Sequence, residues 1–330
     1  MSIFAQRFLQ LVINFTVVFS LLTFSAFAQP PSSTWTQLNP SARPSARDGM
    51  VMVYDPVSQK IILFGGWDGS KHLNDTWIFD GKNWKEIRVM CPPPARAGAG
   101  AAYDSKLKRV VLFGGYNGHY LDDTWLWNGA TSTWTKTTPA DRPPAETGPM
   151  LFPDPLNGRA DEFGGYDGKF FKLGTWSWWN DDWHLLPFEG SASGRAGAVI
   201  GTDPVTKQTV VFGGIGDINP NNTWTFDGDA WTLQHPATQP SPSELAFAGS
   251  AYDPRFDGVV IFGGFNGALE NETWVWSEND WIQLSPEQAP PPREQMGMAF
   301  DELHQRTVVF GGANNKELLN DTWILETTSK

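Results

Sequence analysis

Residues 110–134 read VVLFGGYNGHYLDDTWLWNGATSTW, and this stretch decides the fold. It opens with four consecutive apolar residues, stops at Gly114-Gly115, turns at Asn117-Gly118 and resumes with Thr-Trp-Leu-Trp before Trp134. A short apolar run that ends at glycine is typical of a buried β-strand, and Asn-Gly between apolar runs is a strong turn signal. We interpret the stretch as successive antiparallel strands of one sheet.

The rest of the chain repeats this stretch about every 50 residues. A Gly-Gly pair occurs in each of six copies: Gly65-Gly66, Gly114-Gly115, Gly164-Gly165, Gly213-Gly214, Gly263-Gly264 and Gly311-Gly312. A Thr-Trp dipeptide follows each pair, with its tryptophan at Trp77, Trp125, Trp176, Trp224, Trp274 and Trp323. A further tryptophan series keeps the same period: Trp35, Trp84, Trp134, Trp183, Trp231 and Trp281. Six copies at one period indicate a repeat architecture.

The glycine pairs, the spaced tryptophans and an Asp turn in each copy together resemble the kelch repeat, in which about 50 residues form one propeller blade. The resemblance covers residues 34–325. It implies an all-β fold, a six-bladed kelch β-propeller of the galactose oxidase central-domain superfamily. It does not fix the activity, because kelch propellers include binding platforms, enzymes and scaffolds.

The two ends of the chain hold complementary parts of one repeat. Trp35 closes a repeat whose beginning is missing, whereas the last repeat stops at residues 323–325 without a closing tryptophan. We therefore predict that the N-terminal strand around Trp35 completes the C-terminal blade and closes the ring, which removes open sheet edges. The propeller is predicted to span residues 34–330, after a short leader at 29–33.

Each repeat is predicted to supply four strands of a blade. Small residues, as at 98–102, suit an innermost strand, the apolar run forms the second strand, and the two tryptophans lie on the third and fourth. Turns built on Asp, such as Asp55-Pro56, join the first two strands. The third repeat departs from this pattern, since its second strand reads GRADEF at 158–163.

The first 28 residues differ in kind from the repeats. Arg7 precedes an apolar stretch at 8–24, and Ala26-Phe27-Ala28 offers small residues at the positions that a signal peptidase reads. We predict a signal peptide over residues 1–28, cleaved after Ala28, and a secreted or periplasmic protein. The alternative is an uncleaved membrane anchor, for which the apolar stretch is short.

The formal net charge of −12 disfavours nucleic acid as a partner. The single cysteine, Cys91, lies in a proline-rich linker and excludes an intrachain disulfide. We expect a monomer that does not bind a membrane after the signal peptide is removed.

The loops between the second and third strands share a face with the loops between blades in such a meander, and we expect a ligand on that face. The position eight residues before each Asp turn would line its mouth: Arg47, Arg96, Glu146, Arg195, Leu245 and Arg293. Four guanidinium groups in a small area predict an anionic ligand such as a carboxylate.

An alternative role for these arginines is structural pairing within the propeller. Asp precedes the Thr-Trp dipeptide in the three repeats where Arg47, Arg96 and Arg293 occur, namely Asp75, Asp123 and Asp321. Arg195 is matched by Asn222, which carries no charge. Arg195 is therefore the arginine predicted to be free for a ligand, with Glu146 in the neighbouring blade as an unpaired acid.

Aromatic residues follow four of the glycine pairs: Trp67, Tyr116, Tyr166 and Phe265. Each is followed by Asp or Asn, and aromatic faces beside such side chains are suited to carbohydrate binding. The alternative is that Asp-Gly and Asn-Gly here only form turns.

No cofactor is expected from the sequence. His72 and His119 lie in equivalent loops, but no third residue at a suitable spacing completes a metal site. Four sequons arise from the repeat itself, at Asn74, Asn221, Asn271 and Asn320.

These observations predict a recognition module that binds a carbohydrate or an acidic peptide or protein, rather than an enzyme. The first alternative is an enzyme acting on an acidic sugar, similar to the exported sialic acid epimerases, with Glu146 as base and Arg195 as carboxylate anchor. Copper-radical oxidases of the superfamily are not matched, because Cys91 has no matching tyrosine motif and six repeats replace seven blades. A structural envelope protein is the third possibility.

Overall fold

The computed structural model describes residues 30–187, 192–218, 220–241 and 245–327. These residues form strands and loops, and the strands assemble into six four-stranded antiparallel sheets and one two-stranded ribbon. No helix long and apolar enough to cross a membrane occurs among them. The predicted signal peptide and its cleavage site lie outside the described residues.

The chain begins with one strand and continues through three consecutive sheets. These strands are β1 (Ser33–Leu38); β2 (Val51–Asp55), β3 (Lys60–Phe64), β4 (Thr76–Phe79) and β5 (Trp84–Ile87) of blade one; β6 (Gly100–Asp104), β7 (Arg109–Phe113), β8 (Thr124–Asn128) and β9 (Thr133–Lys136) of blade two; and β10 (Thr147–Pro153), β11 (Ala160–Tyr166), β12 (Thr175–Trp179) and β13 (Asp182–Leu185) of blade three.

The second half of the chain supplies the other three sheets and the ribbon. These strands are β14 (Arg195–Ala196) and β17 (Ile215–Gly216) of the ribbon; β15 (Val199–Asp203), β16 (Gln208–Phe212), β18 (Thr223–Phe226) and β19 (Trp231–Leu233) of blade four; β20 (Gly249–Asp253), β21 (Gly258–Phe262), β22 (Thr273–Ser277) and β23 (Asp280–Leu284) of blade five; and β24 (Gly297–Asp301), β25 (Arg306–Phe310) and β26 (Thr322–Thr327) of blade six.

The N-terminal strand completes blade six. Strand β1 pairs antiparallel with β26, with Trp35 opposite Leu325, and the sheet order is β1-β26-β25-β24. The predicted six-bladed propeller and its closure by the strand of Trp35 are therefore confirmed. The strand begins one residue before the predicted boundary, because Ser33 is buried and paired with Thr327.

The innermost strands of neighbouring blades approach closely around the axis. The first strand of each blade contacts the first strand of the next, from β2 and β6 round to β24 and β2. A Cβ atom at Gly100 would lie 2.6 Å from the backbone oxygen of Pro149. The small residues predicted for this strand are thus required by the distance between blades.

A repeated hydrogen bond joins each blade to the one before it. The outer tryptophan of a blade donates its indole N–H to the threonine that begins the third strand of the preceding blade. The six pairs are Trp84–Thr322, Trp134–Thr76, Trp183–Thr124, Trp231–Thr175, Trp281–Thr223 and Trp35–Thr273, at 2.8 to 3.0 Å. Four of these threonines are also the third residues of the predicted sequons, so a packing requirement accounts for the threonine of each sequon.

Candidate ligand-binding site at the channel mouth

Two kinds of loop meet at one end of the propeller. The loops between blades form backbone bridges with the loops between second and third strands: Asp48 with Trp67, Ala97 with Tyr116, Ala246 with Phe265 and Glu294 with Ala313. Both kinds therefore line the same face, which we term the mouth face.

Three of the four arginines predicted for this face are buried in carboxylate pairs. Arg47 donates to both carboxylate oxygens of Asp75, at 2.6 and 2.8 Å, and to the backbone oxygen of Gly65 at 3.0 Å. The same arrangement joins Arg96 to Asp123 and Arg293 to Asp321. Structural pairing within a blade, the alternative drawn from the sequence, is what the structure shows for these three arginines.

Arg195 is not free either. It is fully buried, and it donates to the backbone oxygens of Gly213 and Pro220, both at 3.1 Å, and to Asn222 Oδ1 at 2.9 Å. Ser193 accepts two further bonds from it. The expectation of an unengaged Arg195 is wrong, because backbone carbonyls replace the missing carboxylate. Burial without that carboxylate lowers the pKa of Arg195 to about 10.

Glu146 occupies the arginine position of blade three. Its side chain is buried, and neither carboxylate oxygen has a hydrogen-bond partner among the described residues. Burial raises the pKa of Glu146 to about 9, with a smaller contribution from Asp167 and opposition from Lys172. The carboxyl group is therefore neutral at pH 7, which does not suit the general base expected in the enzyme alternative.

Two further acids lie in the same blade, at the polar stretch that the sequence marks in β11. Asp161 and Glu162 are buried where blade two has Val111 and Leu112. Burial raises the pKa of each well above its usual range, and the charge of Glu146 adds to the shift of Glu162. The departure of the third repeat from the common pattern thus produces a group of buried acids. Ligand contact by the arginines or by Glu146 stays a prediction.

Six rings form a continuous line across the mouth face of blades one to three, and we call them the aromatic arc. Its members are Trp67, His72, Tyr116, Tyr120, Tyr166 and Phe171, whose successive ring centroids are 4.7, 5.9, 5.2, 6.3 and 4.8 Å apart. Phe265 lies in blade five, outside this line.

Sequence reasoning found three members of the arc and missed the other three as ring partners. Backbone bridges pair Trp67 with His72, Tyr116 with Tyr120 and Tyr166 with Phe171. Each loop folds back so that its second aromatic residue lies beside its first. The usable signal was a second ring four or five residues after the first in three consecutive repeats.

The Asp residues that follow the rings form turns. Asp68 Oδ1 accepts hydrogen bonds from the backbone N–H groups of Ser70 and Lys71, both at 2.9 Å. Asp167 Oδ1 accepts similar bonds from Lys169 and Phe170. These bonds hold the pKa of Asp68 at about 2. The pKa of Asp167 is also lowered, and there the ion pair with Lys172 is the largest cause. The turn interpretation therefore accounts for these carboxylates, but it leaves the rings available.

Two cavities open beside the arc. One, of about 540 Å³, is lined by Asp48, Trp67, His72, Tyr116, Tyr120 and Gln295. The other is the central channel, of about 610 Å³, with Tyr166 and Phe171 among its lining residues. Burial lowers the pKa of His72, so its imidazole is neutral at pH 7.

The described residues contain no cluster of three or more His, Cys, Asp or Glu side chains that could hold a metal ion. Cys91 is exposed in its linker.

A family model described as the KLHDC2/KLHL20/DRC7 kelch-repeats domain matches residues 14–149 and 158–330. The chain belongs to the kelch-repeat family. Membership of this family indicates a protein-binding module. The gap in the match falls in blade three, whose repeat departs most from the others. A search among curated proteins found no match to this kelch chain.

Proposed function

We propose that this kelch propeller is a recognition module that binds a carbohydrate over the aromatic arc. The continuity of the six rings across three blades carries the proposal. Aromatic faces pack against the C–H faces of sugar rings, while polar groups between them take hydroxyl groups. Asp48, Gln295 and the tyrosine hydroxyl groups would supply those polar contacts beside the cavity.

An anionic ligand receives less support from this geometry. The four buried arginines direct their guanidinium groups at carboxylates, an amide and backbone oxygens of the propeller itself. Lys172, near the arc, forms an ion pair with Asp167. We therefore favour a sugar over the acidic peptide that the four arginines suggested.

A peptide segment of a protein partner is the second candidate. It is favoured by the kelch family and by the central channel, whose opening beside Tyr166 and Phe171 has the volume for several side chains. Catalysis at Glu146 and Arg195 is less favoured, because the first is neutral and buried and the second is saturated with hydrogen bonds. A purely structural envelope role would leave the partly exposed aromatic arc without a function.

Export is part of the proposal. The apolar stretch at 8–24 and the small residues before Gln29 support a signal peptide. Mass spectrometry of the protein recovered from its host would give a mature chain that begins at Gln29. Recovery of the intact N-terminus would contradict cleavage.

The binding proposal is tested by screening the exported form, residues 29–330, on a glycan array. Tyr116→Ala should abolish a specific signal, since the packing of a sugar ring against the Tyr116 ring is lost. Phe265→Ala is the matched control: Phe265 occupies the same repeat position and is 41% exposed against 38% for Tyr116, but it lies outside the arc. No bound glycan, or equal loss in both variants, would contradict the proposal. Binding of peptides instead of glycans would favour the second candidate.

A further inference from the structure

Two acidic residues stand at the inner rim of the mouth face, directly after the buried arginines. Asp48 follows Arg47 and Glu294 follows Arg293, in the loops that enter the adjacent blades one and six. The corresponding residues of the other four loops are uncharged: Ala97, Thr147, Ala196 and Ala246. At this rim position the charge is therefore negative and confined to one side of the channel.

Neither acid has a cationic partner in the described part of the chain. The ion pairs found there involve other carboxylates. Both side chains are half-buried, and burial raises the pKa of each; the charge of Asp48 further raises the pKa of Glu294. Two partly desolvated carboxylates that repel each other are stabilised when a cation approaches them.

Asp48 also lines the cavity beside the first four rings of the arc. Trp67, His72, Tyr116 and Tyr120 surround that cavity, and the neutral His72 adds no positive charge to it. The faces of tryptophan and tyrosine attract an ammonium group through their quadrupoles. Carboxylate and aromatic faces in one cavity thus combine the two interactions that a bound ammonium requires.

We propose that the cavity beside Asp48 binds the protonated amine of an amino sugar. The inference rests on the proposed function, since it assigns a chemical class to the carbohydrate held by the arc. The ligand charge is then opposite to the one expected from the sequence, because the four arginines are fully buried whereas Asp48 and Glu294 are only half-buried.

An amino sugar uses more of the surface than a lysine side chain would. Each glucosamine unit presents a C–H face and an ammonium group on the same ring. An oligomer that placed one amine beside Asp48 would extend its next units towards Tyr166 and Phe171, which continue the arc beyond the cavity. A lysine side chain would occupy only part of the cavity and would leave those two rings without a contact.

The test compares two probes that share one sugar backbone. Glucosamine and N-acetylglucosamine oligosaccharides of equal length are titrated calorimetrically into the exported form at near-neutral pH and low salt. We expect the amine-bearing oligomer to bind about ten-fold more tightly. Asp48→Asn and Glu294→Gln should each reduce that preference while leaving the affinity for the acetylated oligomer unchanged. Added salt should weaken only the amine-dependent part.

Glu317→Gln is the matched control, because Glu317 is an exposed acid of the blade-six loop on the same face. Asp48 lines the cavity and Glu294 is close enough for the charge of Asp48 to raise its pKa, whereas Glu317 does not line the cavity. It should retain the preference, and melting temperatures would show that each variant is folded. Equal affinity of the wild type for both oligomers would overturn the amine site and leave carbohydrate recognition standing. Binding of neither oligomer, with an Asp48-dependent affinity for a lysine peptide, would overturn the amino-sugar assignment in favour of a protein ligand.

Discussion

Trp35 donates its indole N–H to Thr273 Oγ1 at 3.0 Å, across 238 positions of sequence. The bond joins the N-terminal strand, which completes blade six, to the third strand of blade five. It has the geometry of the five bonds at the other blade boundaries, which makes the closing contact equivalent to the rest of the ring.

Replacing Thr273 by Val should destabilise the ring. The variant keeps the shape of the side chain, but it removes the acceptor and leaves the fully buried Trp35 indole N–H without a partner. An unsatisfied buried donor costs about 1–3 kcal/mol, which denaturant unfolding would measure.

Thr135→Val is the matched control for that variant. Thr135 lies on strand β9 and is exposed, so its replacement should change the unfolding free energy by less than about 0.5 kcal/mol. Similar losses in both variants would show that the indole bond does not contribute to closure.

Asn222→Asp should stabilise blade four. Trp224 Nε1 has no hydrogen-bond partner among the residues that the structure describes, whereas Trp77 Nε1 donates to Asp75 Oδ2 at 2.7 Å in blade one. A carboxylate at position 222 would give Arg195 a counter-charge and Trp224 an acceptor. We expect a gain of about 1–3 kcal/mol in unfolding free energy, read from thermal and denaturant melts.

The reverse change, Asp75→Asn, serves as its control, since it gives blade one the residue that blade four has. It should lower stability by a similar amount. If Asn222→Asp were neutral or destabilising, the backbone carbonyls of Gly213 and Pro220 would already satisfy Arg195 in full.

The repeat made the propeller predictable, and it also made the Arg–Asp pairs such as Arg47–Asp75 predictable. Arginine and aspartate occur together in the same repeats, which indicates a contact between them within each blade. The burial of the arginines was harder to predict, since it depends on backbone oxygens such as Gly65 O and Pro220 O that no residue type encodes. The arc required knowledge of how each loop folds back, which brings Tyr120 onto Tyr116.

Glu146→Gln should change how stability depends on pH. The pKa of Glu146 is raised from 4.5 to about 9, so between these values the folded chain holds a proton that the unfolded chain has lost. The unfolding free energy of the wild type therefore falls as pH rises through this window, by up to about 1.4 kcal/mol per pH unit, and this contribution levels off above it.

Glutamine cannot ionise, so the unfolding free energy of the variant should decline less steeply with pH. The difference in unfolding free energy between the variant and the wild type should be largest near pH 9. It should keep the part of the decline that Asp161 and Glu162 cause. Denaturant unfolding at several pH values gives both profiles. Parallel profiles would mean that Glu146 is ionised in the folded chain.

Glu162→Leu should stabilise the boundary between blades two and three. Glu162 is buried, its Oε1 has no hydrogen-bond partner in the described structure, and burial raises its pKa, so its folding penalty grows with pH. Leucine is the residue that blade two has at this position, Leu112, and it packs there without a polar atom to satisfy. We expect the unfolding free energy to rise by about 1–3 kcal/mol at pH 8, and this gain should shrink towards pH 5.

Combining this variant with Glu146→Gln gives a double-mutant cycle. At about pH 9, where Glu146 begins to ionise, its charge raises the pKa of Glu162. Removing either acid at that pH relieves part of the penalty on the other, so the two gains in unfolding free energy should sum to more than the gain of the double variant. Leu112→Glu, which puts the acid into blade two, should destabilise. Strict additivity of the two substitutions would show that the acids do not interact, and a loss of stability at pH 8 on Glu162→Leu would show that Glu162 has a compensating partner.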